Sequence, residues 1–226
     1  MSETTPLLPL LYEDVVRRAL LEDLGRAGDI TTDAIAPPDL TGRAAVVARA
    51  AGRVAGLEPA LHAFRLLGPE CRIDVRLRDG RDAAAGDTLA RVSASARALL
   101  AGERTALNLL GHLSGIATVT RDVVARLDGL ATRVACTRKT TPGLRALEKY
   151  AVRVGGGSPH RYGLDDAVLV KDNHVALAGG IAEAVRRVRR SVGHMVKVEV
   201  EVDTLAQLDD ALTIGVDAVL STTWTS

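Results

Sequence analysis

Apolar positions along the first part of the chain change period several times. Leu10, Leu11, Val15, Val16, Ala19 and Leu20 recur at spacings of three and four, which predicts an amphipathic helix over residues 10–24. Gly25 and Gly28 close it, and the polar residues 29–33 read as a turn ahead of Pro37-Pro38. Residues 42–50, 52–56 and 71–77 read as strands, with a helix over 58–67 between the second and third. Asp79-Gly80 and Gly86-Asp87 are pairs of the kind that close hairpins. Together these predict a small α/β layer over about the first hundred residues.

Residues 94–127 read as mostly helical. Leu99, Leu100, Ala106, Leu107, Leu109 and Leu110 form a wide apolar stripe that Ser114-Gly115 interrupts. From residue 132 the pattern alternates. Strands are predicted over 132–136, 167–170, 195–202 and 218–220, and helices over 141–154, 179–191 and 204–212, with Pro142 in the first turn of the 141–154 helix. Such alternation implies parallel strands joined by crossover helices, hence an α/β barrel or a doubly wound sheet.

A length of 226 residues at 47% hydrophobic suits one large domain or two moderate ones, each able to bury a core. Aromatics are 2%, so that core must be built from Ala, Val, Leu and Ile. A formal charge of +1 leaves no global field for nucleic acid or an acidic membrane, and an anion site must be a local cluster of cations. Cys71 and Cys136 are too few for a disulfide framework or a zinc site and read as reduced thiols of a cytosolic protein. Residues 1–11 lack the basic run of a signal peptide, and no apolar run reaches the roughly 18 residues of a membrane span. A soluble, cytoplasmic protein is expected.

Candidate chemistry concentrates in residues 137–174, which hold three of the four lysines, Gly155-Gly156-Gly157, and two of the five histidines. Ligands of barrels and open parallel sheets bind at the carboxyl ends of strands. Arg138 and Lys139 follow one predicted strand, and Lys171, Asp172, Asn173 and His174 follow the next. Glu199 and Glu201 lie two apart near the end of a third strand and share a face. A rim with several cations and a carboxylate suits a polyanionic substrate, with a metal ion or a developing positive charge.

Plainer readings stand beside these. Arg104 next to Glu103 reads as a helix-surface ion pair. Lys171-Asp172 reads as a solvated pair, although a lysine directly after a buried strand favours a site. His160-Arg161 serves equally as an exposed loop. The glycine run suits a hinge or a close approach of backbone amides to an anion. Arg186–Arg190 reads as a solvated helix face rather than a nucleic-acid patch.

Longer stretches resemble the quinolinate phosphoribosyltransferase family, the carboxylating nicotinate-nucleotide pyrophosphorylases. Leu20-Leu21-Glu22-Asp23-Leu24-Gly25 with Gly28-Asp29-Ile30-Thr31-Thr32 resembles the family's opening helix and turn. Gly102-Glu103-Arg104-Thr105-Ala106-Leu107-Asn108 with Ser114-Gly115-Ile116-Ala117-Thr118 resembles its central helix. Residues 137–174 resemble its active-site core, and Val198-Glu199-Val200-Glu201-Val202 its next strand. The resemblance extends nearly to Leu220.

The resemblance implies phosphoribosyl transfer from phosphoribosyl pyrophosphate to quinolinate, with magnesium (Mg2+), giving nicotinate mononucleotide, CO2 and pyrophosphate in NAD synthesis. It implies an N-terminal α/β sandwich, here residues 1–110 with the linking helix, followed by an open α/β barrel from residues 111–226. It also implies a homodimer in which Arg104 reaches the partner's substrate. Arg138, His160, Arg161 and Lys171 would bind quinolinate, Thr137 would be a further substrate-binding residue, Lys139 would face phosphoribosyl pyrophosphate, and Glu201 would stabilise the positive ribose. Lys139 and Glu201 are the expected catalytic residues, and no metal ligand is assigned.

Two departures from the family pattern bear on these expectations. Pro159 stands where the family has asparagine before His-Arg, and altered substrate affinity is expected. After Leu220 the family continues Leu-Asp-Asn-Met, where this chain reads Ser221-Thr222-Thr223-Trp224-Thr225-Ser226. Dropping one base from codons for Leu-Asp-Asn-Met-Asp yields Ser-Thr-Thr-Trp-Thr, so a frameshift is expected, with the barrel's last strands missing and activity impaired. The alternatives are an inactive remnant that binds dicarboxylates, and the related protein associated with molybdate transport. Lys171-Asp172-Asn173-His174 and Glu148-Lys149-Tyr150 speak against the last.

Overall fold

A computed structural model describes residues 5–222. The chain divides into two compact units after His160.

The first unit opens with a 3-10 turn, Pro9–Leu11, and helix α1, Glu13–Leu24, which buries Val16 and Leu20. The expected polar turn at residues 29–33 is instead a short helix, α2, Ile30–Ile35. Asp29 caps it, accepting a hydrogen bond from the Thr32 amide at 3.0 Å. Strands β1 (Thr41–Val47) and β2 (Gly52–Arg53) precede helix α3 (Leu57–Leu67). Strands β3 (Arg72–Val75), β4 (Asp82–Ala83) and β5 (Thr88–Ser95) follow. They form an antiparallel sheet in the order β1-β5-β3 and a separate β2-β4 pair. Neither glycine-containing turn closes a hairpin, because β3, β4 and β5 are not paired in succession. Asp79 instead accepts hydrogen bonds from the Gly56 and Leu57 amides, at 2.8 and 3.0 Å.

Helix α4, Ala96–Ala125, runs unbroken for 30 residues. Ser114 does not interrupt it, because its hydroxyl pairs with the amide and carbonyl of Ala55 and needs nothing from the helix. The core is the aliphatic one that the composition requires, with Leu61, Ala63, Ala90, Val92, Leu113 and Ala117 all nearly or fully inaccessible. The predicted strand at residues 132–136 shrinks to one parallel bridge, Ala135 to Ser158. Helix α5, Arg145–Val154, begins later than predicted because residues 141–144 form a turn with Gly143 at φ 83°.

The glycine run has a use the sequence did not reveal. A Cβ on Gly155 would lie 2.6 Å from the Ala117 carbonyl oxygen and from Thr120 Cβ, and one on Gly157 would lie 2.7 Å from Val152 Cγ1. Gly155 and Gly157 let this segment pack closely beside α4.

The second unit is a parallel three-stranded sheet in the order β6-β7-β8, with β6 Val168–Val170, β7 Val198–Val202 and β8 Ala218–Ser221. Helix α6, Asp172–Ala178, lies in a stretch for which the sequence predicted no element, and α7, Ile181–Ser191, and α8, Leu205–Ile214, follow. Val198, Val200 and Val202 bury one face of β7 with Val185 and Ala211, leaving the glutamates on the other. Ser221 continues β8, and the Thr222 amide donates to the Val202 carbonyl. Residues 223–226, on which most of the frameshift reading rests, lie outside the described residues.

Candidate active site

The predicted site residues fall into two groups, one in each unit. In the first, chain segments on either side of the Ala135–Ser158 bridge carry Thr137, Arg138 and Lys139, and His160. The Lys139 amide donates to Thr137 Oγ1 at 3.1 Å, which turns the chain and leaves both side chains exposed. Arg138 is half-buried, and its Nε is buried without a hydrogen-bond partner. Arg145 Nε braces the loop by donating to Thr140 Oγ1 at 3.1 Å.

Beneath this loop lies Glu148, which is buried. One carboxylate oxygen accepts from the Thr141 amide at 3.1 Å, and the other lies 2.9 Å from His112 Nε2 on α4. Burial pushes this carboxyl up, but the hydrogen bonds from Thr141 and His112 outweigh it and hold it below the ordinary carboxylate value. Lys149, fully buried, donates to Cys136 Sγ at 3.2 Å and to the His160 carbonyl at 2.9 Å.

In the second unit Arg161 Nη1 donates to the Ala167 carbonyl at 3.0 Å, while its Nε is buried without a partner. Asp166 accepts from the Tyr162 and Gly163 amides at 2.6 and 3.1 Å, fixing the loop after Arg161. Those amide bonds, the Tyr162 one foremost, lower its carboxyl pKa. At the end of β6, Lys171 is the N-cap of α6, and its amide donates to His174 Nδ1 at 2.9 Å. Lys171 Nζ reaches to 3.7 Å from Glu201 Oε2. That oxygen is buried and accepts no hydrogen bond.

Five side-chain polar atoms among the described residues are buried without a hydrogen-bond partner, and three of them belong to Arg138, Arg161 and Glu201. Buried polar groups are ordinarily paired, because leaving them unpaired is costly. The other two atoms, His62 Nε2 and Arg153 Nε, are outside the predicted set. Arg104 lies exposed on α4 and makes no ion pair with Glu103 or any other described residue, so the helix-surface pair is not formed.

Glu148, Lys149 and Asp166 are supporting residues; the sequence reading used Glu148-Lys149 only to tell related families apart and did not single out Asp166, because the burial that gives the first two their role follows from packing. No group of three or more His, Cys, Asp or Glu side chains among the described residues could hold a metal ion.

Family comparison agrees across the chain. The model for "Quinolinate phosphoribosyl transferase, N-terminal domain" matches residues 29–114 and that for the C-terminal domain residues 116–226. The "Probable nicotinate-nucleotide pyrophosphorylase [carboxylating]" of Bacillus subtilis (strain 168) is 43% identical over 211 residues, 93% of this chain and 72% of the relative. The corresponding Mycobacterium leprae protein is 48% identical over 201 residues, 88% of this chain and 70% of the relative. The crystal structure of NadC from Streptococcus pyogenes superposes with a TM-score of 0.93 at 39% identity, over 98% of this chain and 78% of that one. This chain belongs to the quinolinate phosphoribosyl transferase family.

Proposed function

We propose that the protein transfers the phosphoribosyl group of phosphoribosyl pyrophosphate to quinolinate, giving nicotinate mononucleotide, CO2 and pyrophosphate, a step of NAD synthesis in the cytoplasm. The observations that carry this reading are buried atoms without a hydrogen-bond partner, Arg138 Nε in the first unit and Arg161 Nε and Glu201 Oε2 in the second, the last 3.7 Å from Lys171 Nζ. Quinolinate offers two carboxylates to the arginines. Arg138, Arg161, His160 and Lys171 bind them, with Thr137 alongside, and so fix the ring nitrogen for attack on the ribose C1.

As the C1–pyrophosphate bond breaks, positive charge grows on the ribose and negative charge on the leaving group. Glu201 faces the first and Lys139 the second. Magnesium, when bound with the pyrophosphate, neutralises further leaving-group charge. The new pyridinium then accepts the electron pair of the C2–carboxylate bond, CO2 departs, and a proton takes its place at C2.

We further propose a homodimer, in which the exposed Arg104 of one subunit completes the other's site. The two-domain reading, residues 1–110 and 111–226, is supported by family models that meet between 114 and 116. No helix among the described residues is long and apolar enough to cross a membrane.

The test is release of labelled CO2 from carboxyl-labelled quinolinate with phosphoribosyl pyrophosphate and Mg2+. Turnover above that of Lys139→Ala is expected. Equal rates for the two proteins would refute the reading.

A further inference from the structure

We infer that Lys149 is a positioning residue for quinolinate binding, acting from beneath the loop and never touching substrate. The inference rests on the proposed function only in naming quinolinate as the ligand.

Glu148, Lys149 and Tyr150 are consecutive on α5 and all buried. Successive helical side chains point about 100° apart, so three neighbours reach three different segments. Tyr150 Oη donates to Asp79 Oδ2 at 2.8 Å, in the N-terminal part of the first unit. Glu148 accepts from the Thr141 amide, at the far end of the Thr137–Lys139 loop. Lys149 donates to Cys136 Sγ, immediately before that loop, and to the carbonyl of His160.

The loop is therefore gripped at both ends by two adjacent residues. One of the two also holds the segment that carries His160. The backbone pairing between these segments ends with Cys136 N donating to Ser158 O at 3.1 Å and Ser158 N to Val134 O at 2.7 Å. Lys149 extends that pairing beyond the last backbone bond, into a region where Pro159 has no amide to offer.

A fully buried ammonium is a costly way to fill space, and an aliphatic side chain would pack there without desolvation. Its hydrogen bonds therefore point to a positional role. The spacing between the Arg138 and His160 segments is the quantity it sets.

The test compares Lys149→Met and Cys136→Ala with the unaltered 226-residue protein. Hydrogen–deuterium exchange is read without ligand, and affinities for quinolinate and phosphoribosyl pyrophosphate are measured separately. Loss of a hydrogen bond from a charged donor predicts, in Lys149→Met, at least about tenfold faster amide exchange at residues 137–141 and 160, with α3 unchanged. Quinolinate affinity should fall by about tenfold, while that for phosphoribosyl pyrophosphate, which meets this loop only through Lys139, should fall clearly less. A merely structural role would lower both affinities together and speed exchange throughout the unit. Cys136→Ala, which keeps the lysine, should show the same pattern more weakly, and it decides alone if Lys149→Met does not fold. Unchanged exchange at 137–141 and 160 would overturn the inference. If the unaltered protein fails to bind quinolinate while exchange responds as predicted, the assignment of substrate falls and the anchoring role of Lys149 stands.

Discussion

Asp82 carries two guanidinium groups at once. Arg53, itself buried, donates from Nε at 2.8 Å and Nη2 at 3.0 Å, and Arg121 Nη1 approaches to 2.6 Å. The hydrogen bond from Arg53 leads in holding the Asp82 carboxyl down to about 2. A carboxyl lowered on folding stabilises the protein above its unfolded value and loses that contribution as pH falls toward the folded one. Acid titration of stability should therefore show a component lost between about pH 4 and pH 2, and Asp82→Asn should remove it. At pH 7 the same substitution should cost about 1–2 kcal/mol, discounted because half of Asp82 faces solvent. Chemical denaturation across pH checks both. Within the candidate site, Glu201→Gln should lower kcat by about 100-fold with little change in the KM for quinolinate, because the carboxylate is assigned to charge that develops only in the transition state.

Helix α8 and the glycine run test the account at the scale of elements. Thr204 caps α8 by accepting from the Gln207 amide at 3.2 Å, while Gln207 Oε1 accepts from the Asp203 and Thr204 amides at 2.7 and 3.2 Å. Thr204→Ala should cost about 1 kcal/mol by thermal denaturation. Gly155→Ala should cost about 2 kcal/mol or more, since its Cβ would meet backbone as well as Thr120. Amphipathic helices such as α1, α3 and α7 were legible because one buried stripe dictates their period, and the alternation after residue 132 announced the parallel sheet. Short elements were not. Helix α2 depends on a single Asp29 cap, and α6 on the hydrogen bond that the Lys171 amide donates to His174 Nδ1, so neither has enough turns to display a period. Residues 132–136 looked like a strand, but a strand is defined by its partner, and only Ser158 pairs there. The cations at strand ends were visible in sequence. Glu148 and Lys149 were not, because what distinguishes them is burial among segments distant in the chain.

Taken as a whole molecule, the chain carries an antiparallel sheet on which α4 packs, with α1 and α3 against α4, in one unit and a parallel β6-β7-β8 sheet in the other. Membership of the quinolinate phosphoribosyl transferase family motivates the proposal that this chain binds a pyridine dicarboxylate. Binding, rather than turnover, tests this most directly, since it depends on the residues in hand and on no second substrate. Calorimetric titration of the 226-residue protein with quinolinate should give saturable binding at one site per chain, weakened at least about tenfold by Arg138→Ala through loss of a charge-assisted pair. Absence of binding, or equal affinity in Arg138→Ala, would contradict the account.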